Sequence, residues 1–168
     1  MRSSRTTQSL LGGLLGGLLA GLLGACGEGP RIEGSVSPLL DLRYERAEAQ
    51  GTPEEVSVRF ITPQGAGENT ILKVTAKREN LTFAPGTPID LTEALGTPPS
   101  EVQRGEVSRS VLDEPVRGFP RIARGTLTFQ KDLLPGTKVS GDFHVTFVQG
   151  TDVYSGRTLF GHFEATVP

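Results

Sequence analysis

His144 and His162 are the chain's only imidazoles, and each sits within a run whose apolar residues recur at every second place. Val139, Gly141, Phe143, Val145 and Phe147 share one parity of the first run; Leu159, Gly161, Phe163, Ala165 and Val167 share one parity of the second. Both histidines therefore belong to the solvent face of a predicted hairpin. If Phe143 pairs with Phe163, the imidazoles stand directly opposite, about 5 Å apart. A slip of two residues sets Asp142 against His162 instead. Either pairing gives weak transition-metal ligation, with Glu164 two residues from His162 on the same face. Two imidazoles without a firm third ligand make a poor site, so the expectation is no metal and no cofactor.

Other chemistry is thinner still. The sequence holds no Gly-x-Ser-x-Gly elbow, no Ser-x-x-Lys, no G-x-G-x-x-G and no Walker loop. The acidic pairs Glu54-Glu55 and Asp113-Glu114 fall in predicted loops, where solvation accounts for them. Arg117, Arg121, Arg124 and Lys131 follow one another with no acid between them. Such a stretch suits anionic head groups or an acidic polysaccharide, and equally a charged strand edge that resists aggregation. Asn80-Leu81-Thr82 matches a glycosylation sequon, read as a chance match. Phe160 stands on the outward parity, unlike most of the other Phe, and Tyr154 falls in the loop between the two runs. With His144 and His162 they are the residues expected at a surface contact.

The lone Cys is more informative. Arg2 and Arg5 precede an apolar run, Leu10 to Leu23, built almost wholly of Leu and Gly and closing on Leu23-Gly24-Ala25-Cys26. A basic start, an apolar middle and small residues at the junction are the parts of a secretory signal peptide. The last four residues resemble the lipobox of bacterial lipoproteins. That resemblance implies recognition of Leu23, Gly24 and Ala25 by the signal peptidase, thioether attachment of a diacylglyceryl group to Cys26, and cleavage before it. Acylation of the new amine usually follows. Residue 27 is Gly rather than the Asp associated with inner-membrane retention, which points to the outer membrane in a Gram-negative cell. The rival reading, a retained transmembrane helix, meets the difficulty that Leu10 to Ala25 is 16 residues with six Gly. A span needs about 20 apolar residues.

Composition narrows the function classes. Beyond residue 25 the chain carries 15 basic and 19 acidic residues, too few cations for nucleic acid as the main partner. One Cys and two His exclude an intramolecular disulfide and a zinc site of the usual kind. The 168 residues divide into a signal peptide (1–25), a lipidated N-terminus and flexible tether (26–34, rich in Gly and Pro), and one domain (35–168).

Within that domain period-two patterns run through Leu40-x-Leu42-x-Tyr44, Val56-x-Val58-x-Phe60 and Leu72-x-Val74-x-Ala76, with a long loop over Ala47 to Glu55. Glu101 to Leu112 predicts a further strand, and Leu127-x-Phe129 opens the C-terminal third. Asp90 to Gly96, with an acid three residues on and a closing Gly, reads as a one- or two-turn helix or as an ordered loop. The glycines that open the two C-terminal runs mark a bend or room for a cross-strand Phe ring. The whole predicts an all-β fold, an antiparallel β-sandwich or partly open barrel. The expected protein is a non-catalytic envelope lipoprotein, held to the membrane by lipid on Cys26, that binds another envelope protein or serves a structural role. A carbohydrate- or peptidoglycan-contacting module is the alternative, and a small hydrolase a more distant one.

Overall fold

The computed structural model describes residues 29–96, 102–115 and 117–168. Its strands are β1 (Arg31–Glu33), β2 (Arg46–Gly51), β3 (Glu55–Gln64), β4 (Gly67–Lys77), β5 (Ile89–Asp90), β6 (Gly105–Ser110), β7 (Arg117–Gly118), β8 (Ile122–Phe129), β9 (Lys138–Phe147) and β10 (Thr158–Thr166). No helix occurs among the described residues. All ten strands belong to one sheet in the order β5-β8-β9-β10-β2-β3-β4-β6-β7, with β1 also on β10. Each ladder is antiparallel except β10–β2, which is parallel and touches at Thr166 and Glu48. Nothing in a local pattern foretells that long-range contact.

The sheet curls around one core. Phe60 on β3 meets Phe143 on β9 at 5.7 Å and Phe163 on β10 at 6.2 Å, ring centre to ring centre. The ladder path does not close. Its gap is spanned by residues 91–93: the Leu91 amide donates to the Gly125 carbonyl, and the Gly105 and Arg104 amides donate to the carbonyls of Leu91 and Glu93. The fold is thus all-β, in the partly open form rather than as two separate packed sheets.

Three local expectations need correction, and one open alternative is decided. Residues Arg31 to Glu33, expected in the tether, form β1 and pair with His162, Gly161 and Phe160. One apolar residue between two charges carries too little pattern to read, yet Ile32 is buried. The alternating Leu40 to Tyr44 joins no ladder. Side chains take up its backbone: the Arg43 amide donates to Asp41 Oδ1, and the Asp41 and Arg43 carbonyls accept from Arg109 and Thr62. Leu42 is nevertheless buried, and Tyr44 packs edge-on to Phe60 at 4.9 Å.

The loop expected over Ala47 to Glu55 is largely strand β2, whose inward residues are Ala47 and Ala49. Small side chains there leave room for the large residues opposite but give a weak hydropathy signal. Of the two readings open for Asp90 to Gly96, helix or ordered loop, the ordered loop is formed. Asp90 Oδ1 accepts from the Thr92 amide and hydroxyl, an Asx turn, and Ala94 then bridges to Gln103. Gly96 closes the segment with φ +92°, the left-handed conformation that glycine adopts without strain.

Candidate functional site

The β9–β10 register decides what the outer face can do. Phe143 pairs with Gly161 and Phe163 with Gly141, so of the two pairings open in the sequence, the one with Asp142 against His162 is formed. His162 Nδ1 lies 2.9 Å from Asp142 Oδ1. His144 stands across from Phe160 instead, their rings 6.5 Å apart and 28° from parallel. The flanking strands extend both rows. One runs Thr126, His144, Phe160, Glu33 across β8, β9, β10 and β1; the next runs Thr128, Asp142, His162, Arg31. Glu33 and Arg31 are themselves joined at 3.1 Å.

Phe160 therefore lies in the middle of a polar four-strand face, with an imidazole on one side and a carboxylate on the other. It is 38 % exposed, whereas Phe60, Phe129, Phe143, Phe147 and Phe163 are buried. The face brings Phe160, His144 and His162 together on adjacent positions of β9 and β10. Its Asp142–His162 pair has half the form of a catalytic triad. Among the described residues no hydroxyl bonds the other ring nitrogen, and no group of three or more His, Cys, Asp or Glu gathers at metal-binding distance.

Tyr154 does not join them. It is 4 % exposed, its ring 4.8 Å from Phe119, which stacks on Phe147 at 5.3 Å. Asp152 turns the loop by accepting from the Tyr154 amide, and this drives the ring inward. Arg117 Nη1 then donates to the Tyr154 hydroxyl at 3.1 Å. The basic stretch so loses one member to the fold, while Arg121, Arg124 and Lys131 remain exposed. The lipobox residues Leu23, Gly24, Ala25 and Cys26 lie outside the described residues.

Sequence reasoning missed two buried arginines. Arg104 donates to Glu93 and to the carbonyls of Lys77 and Glu79. Arg109 donates from Nε and Nη2 to the two oxygens of Glu114, at 3.0 and 2.9 Å, and from Nη1 to the Asp41 and Ile71 carbonyls. Those bonds hold the Glu114 carboxyl below the usual range, so this acid is a structural partner rather than a solvated loop residue. The signal was available: Arg109 shares the inward parity of Val107 and Val111.

Two cavities differ in character. The larger, about 630 Å³, lies where the chain enters the fold at Pro30 and is lined by Ile32, Leu40, Leu42 and Tyr44 among others. The Tyr44 hydroxyl is buried there without a hydrogen-bond partner, and burial raises its pKa. The second, about 450 Å³, is a polar groove on the outer side of β2, β3, β4 and β6.

What fold and face together define is an all-β domain whose outer face carries one exposed aromatic ring, Phe160, among the described residues. No protein-family model matches the sequence, and no curated protein or solved structure is significantly similar to it.

Proposed function

We propose that the protein is a lipoprotein of the cell envelope, anchored through lipid on Cys26, whose β-domain binds another envelope protein without catalysing a reaction. The observation that carries this reading is the exposed Phe160 set among His144, Glu33 and the Asp142–His162 pair. An aromatic anchor ringed by polar groups on rigid strands is the composition that concentrates binding energy in protein interfaces. Residue Gly27 favours the outer membrane where a cell has two.

The position of β1 supports a domain held close to the bilayer. Arg31 is five residues from Cys26, a span of at most about 18 Å when fully extended. Two or three acyl chains anchor firmly, at about 0.8 kcal/mol per buried methylene. The face containing β1 is consequently kept near the membrane, where envelope partners are encountered.

The test is chemical crosslinking in intact cells followed by mass spectrometry of what is attached. One protein partner at near-equal amount supports the reading. Sugar or peptidoglycan fragments with no protein contradict it.

A further inference from the structure

The polar groove on the outer side of β2, β3, β4 and β6 is built differently from the Phe160 face. Gln50, Ser57, Thr70, Ser108 and Ser110 line it from the neighbouring strands β2, β3, β4 and β6. None of these side chains has a hydrogen-bond partner among the described residues. Ser57 is the most telling of them. It is 2 % exposed, paired with Gln50 on one side and Thr75 on the other, and its hydroxyl meets the groove rather than a protein group. That hydroxyl is open to the groove: the fully buried polar atoms without a partner among the described residues are Tyr44 Oη, Arg117 Nε and Thr146 Oγ1.

The charged residues of the groove are already paired. Arg59 Nη2 donates to Glu48 Oε2 at 2.7 Å, and Lys73 Nζ to Glu55 Oε1 at 2.8 Å. The groove thus offers hydroxyls and an amide between neutralised walls, in a volume within the range of about 300–1,000 Å³ typical of small-molecule sites. Strands β3 and β4 are hydrogen-bonded along both edges. An incoming peptide has no free backbone edge there to pair with.

We infer that this groove binds an uncharged, hydroxyl-rich ligand, a short neutral glycan, through the Ser57, Ser108 and Ser110 hydroxyls and the Gln50 amide. Each of these groups both donates and accepts, as sugar hydroxyls do. The site is separate from the Phe160 face and does not depend on the protein-binding reading above.

The experiment is saturation-transfer NMR on the full chain in detergent micelles, with chitotriose, maltotriose and a capped triglycine as probes. At least one sugar is expected to show transfer. Ser57→Val should weaken that sugar's binding at least tenfold, and Phe160→Ala should leave it unchanged. Gln50→Ala, at an exposed position, gives a second reading should Ser57→Val fail to fold. Absence of transfer to either sugar, equal binding by the wild type and the groove variants, or transfer to triglycine alone each overturns the inference. Crosslinking to a protein partner should survive Ser57→Val, so failure of the groove and failure of the Phe160 face are told apart.

Discussion

Phe163 lies over Gly141, directly across the β9–β10 ladder, and a Cβ at residue 141 would collide with both the Phe163 ring and the Thr128 carbonyl. The relation is repeated two residues along, where a Cβ on Gly161 would stand 2.8 Å from Phe143 Cε1. These reciprocal Gly–Phe pairs fix the register, because the rings fit only over positions without side chains. The same register puts Asp142 opposite His162 and His144 opposite Phe160 on the other face.

Gly141→Ala should therefore destabilise the domain by about 2–3 kcal/mol, at the upper end of overpacking costs. Adding Phe163→Leu should recover only part of the loss, since the Thr128 carbonyl still obstructs the new methyl group. Chemical denaturation of the two single variants and the double variant measures this coupling. Full additivity would contradict it.

Exposure separates Tyr154 from Phe160 within the C-terminal hairpin. Tyr154→Ala removes a buried ring packed on Phe119 and leaves Arg117 without its hydroxyl acceptor. It should cost about 3–4 kcal/mol, or on the order of 10 °C in melting temperature. Phe160→Ala should cost under about 1 kcal/mol, because the ring is partly in solvent and its cross-strand neighbour is an imidazole. Thermal melts of the two variants test the assignment of one to the core and the other to the surface.

Glu114 and Glu48 make the fold acid-sensitive. Hydrogen bonds from Arg109 hold the Glu114 carboxyl low, and bonds from Arg59, then Arg46, do the same for Glu48. Their folded values lie below the ordinary 4.5, so in acid the unfolded chain binds more protons. The stability from these pairs is present above that value and is lost as pH falls through the folded ones. Glu114→Ala leaves the buried Arg109 charge without its carboxylate and should cost about 2 kcal/mol near neutral pH. Its melting temperature should then fall less than that of the wild type between about pH 6 and about pH 3. An equal fall in both proteins would remove Glu114 as a source of acid sensitivity.

The anchor is tested by Cys26→Ser. Membrane fractions from cells expressing the variant should contain little of the protein, and metabolic labelling with a tagged fatty acid should mark the wild type alone. Tight membrane association of the unlabelled variant would return the N-terminal apolar run to the role of a helix.

Strong alternation made β9 and β10 readable, down to the room that Gly141 and Gly161 give the opposing rings. Weak or misleading local signals account for the differences. Ala47 and Ala49 face the core of β2 as firmly as Val56 and Val58 do in β3, but small side chains do not register as an apolar stripe. Leu40 to Tyr44 carries such a stripe, and its buried side chains obey it, while its carbonyls go to Arg109 and Thr62 instead of a neighbouring strand. For the site, parity placed Phe160, His144 and His162 on one face. Parity could not choose between registers, and it has no purchase on Tyr154, whose direction is set by the Asp152 turn. Ser57 reads as an ordinary outward polar residue; only its neighbours in the folded sheet bury it.

The face around Phe160 is proposed to meet a protein partner in the cell envelope. A photo-crosslinking amino acid placed at position 160 of the full-length chain, in native membranes, tests it most directly. Leu134, 60 % exposed in the turn between β8 and β9, provides a comparison site of similar apolar character. One discrete protein adduct is expected from position 160 and none from position 134. No adduct at 160, or the same adducts from both positions, would contradict it.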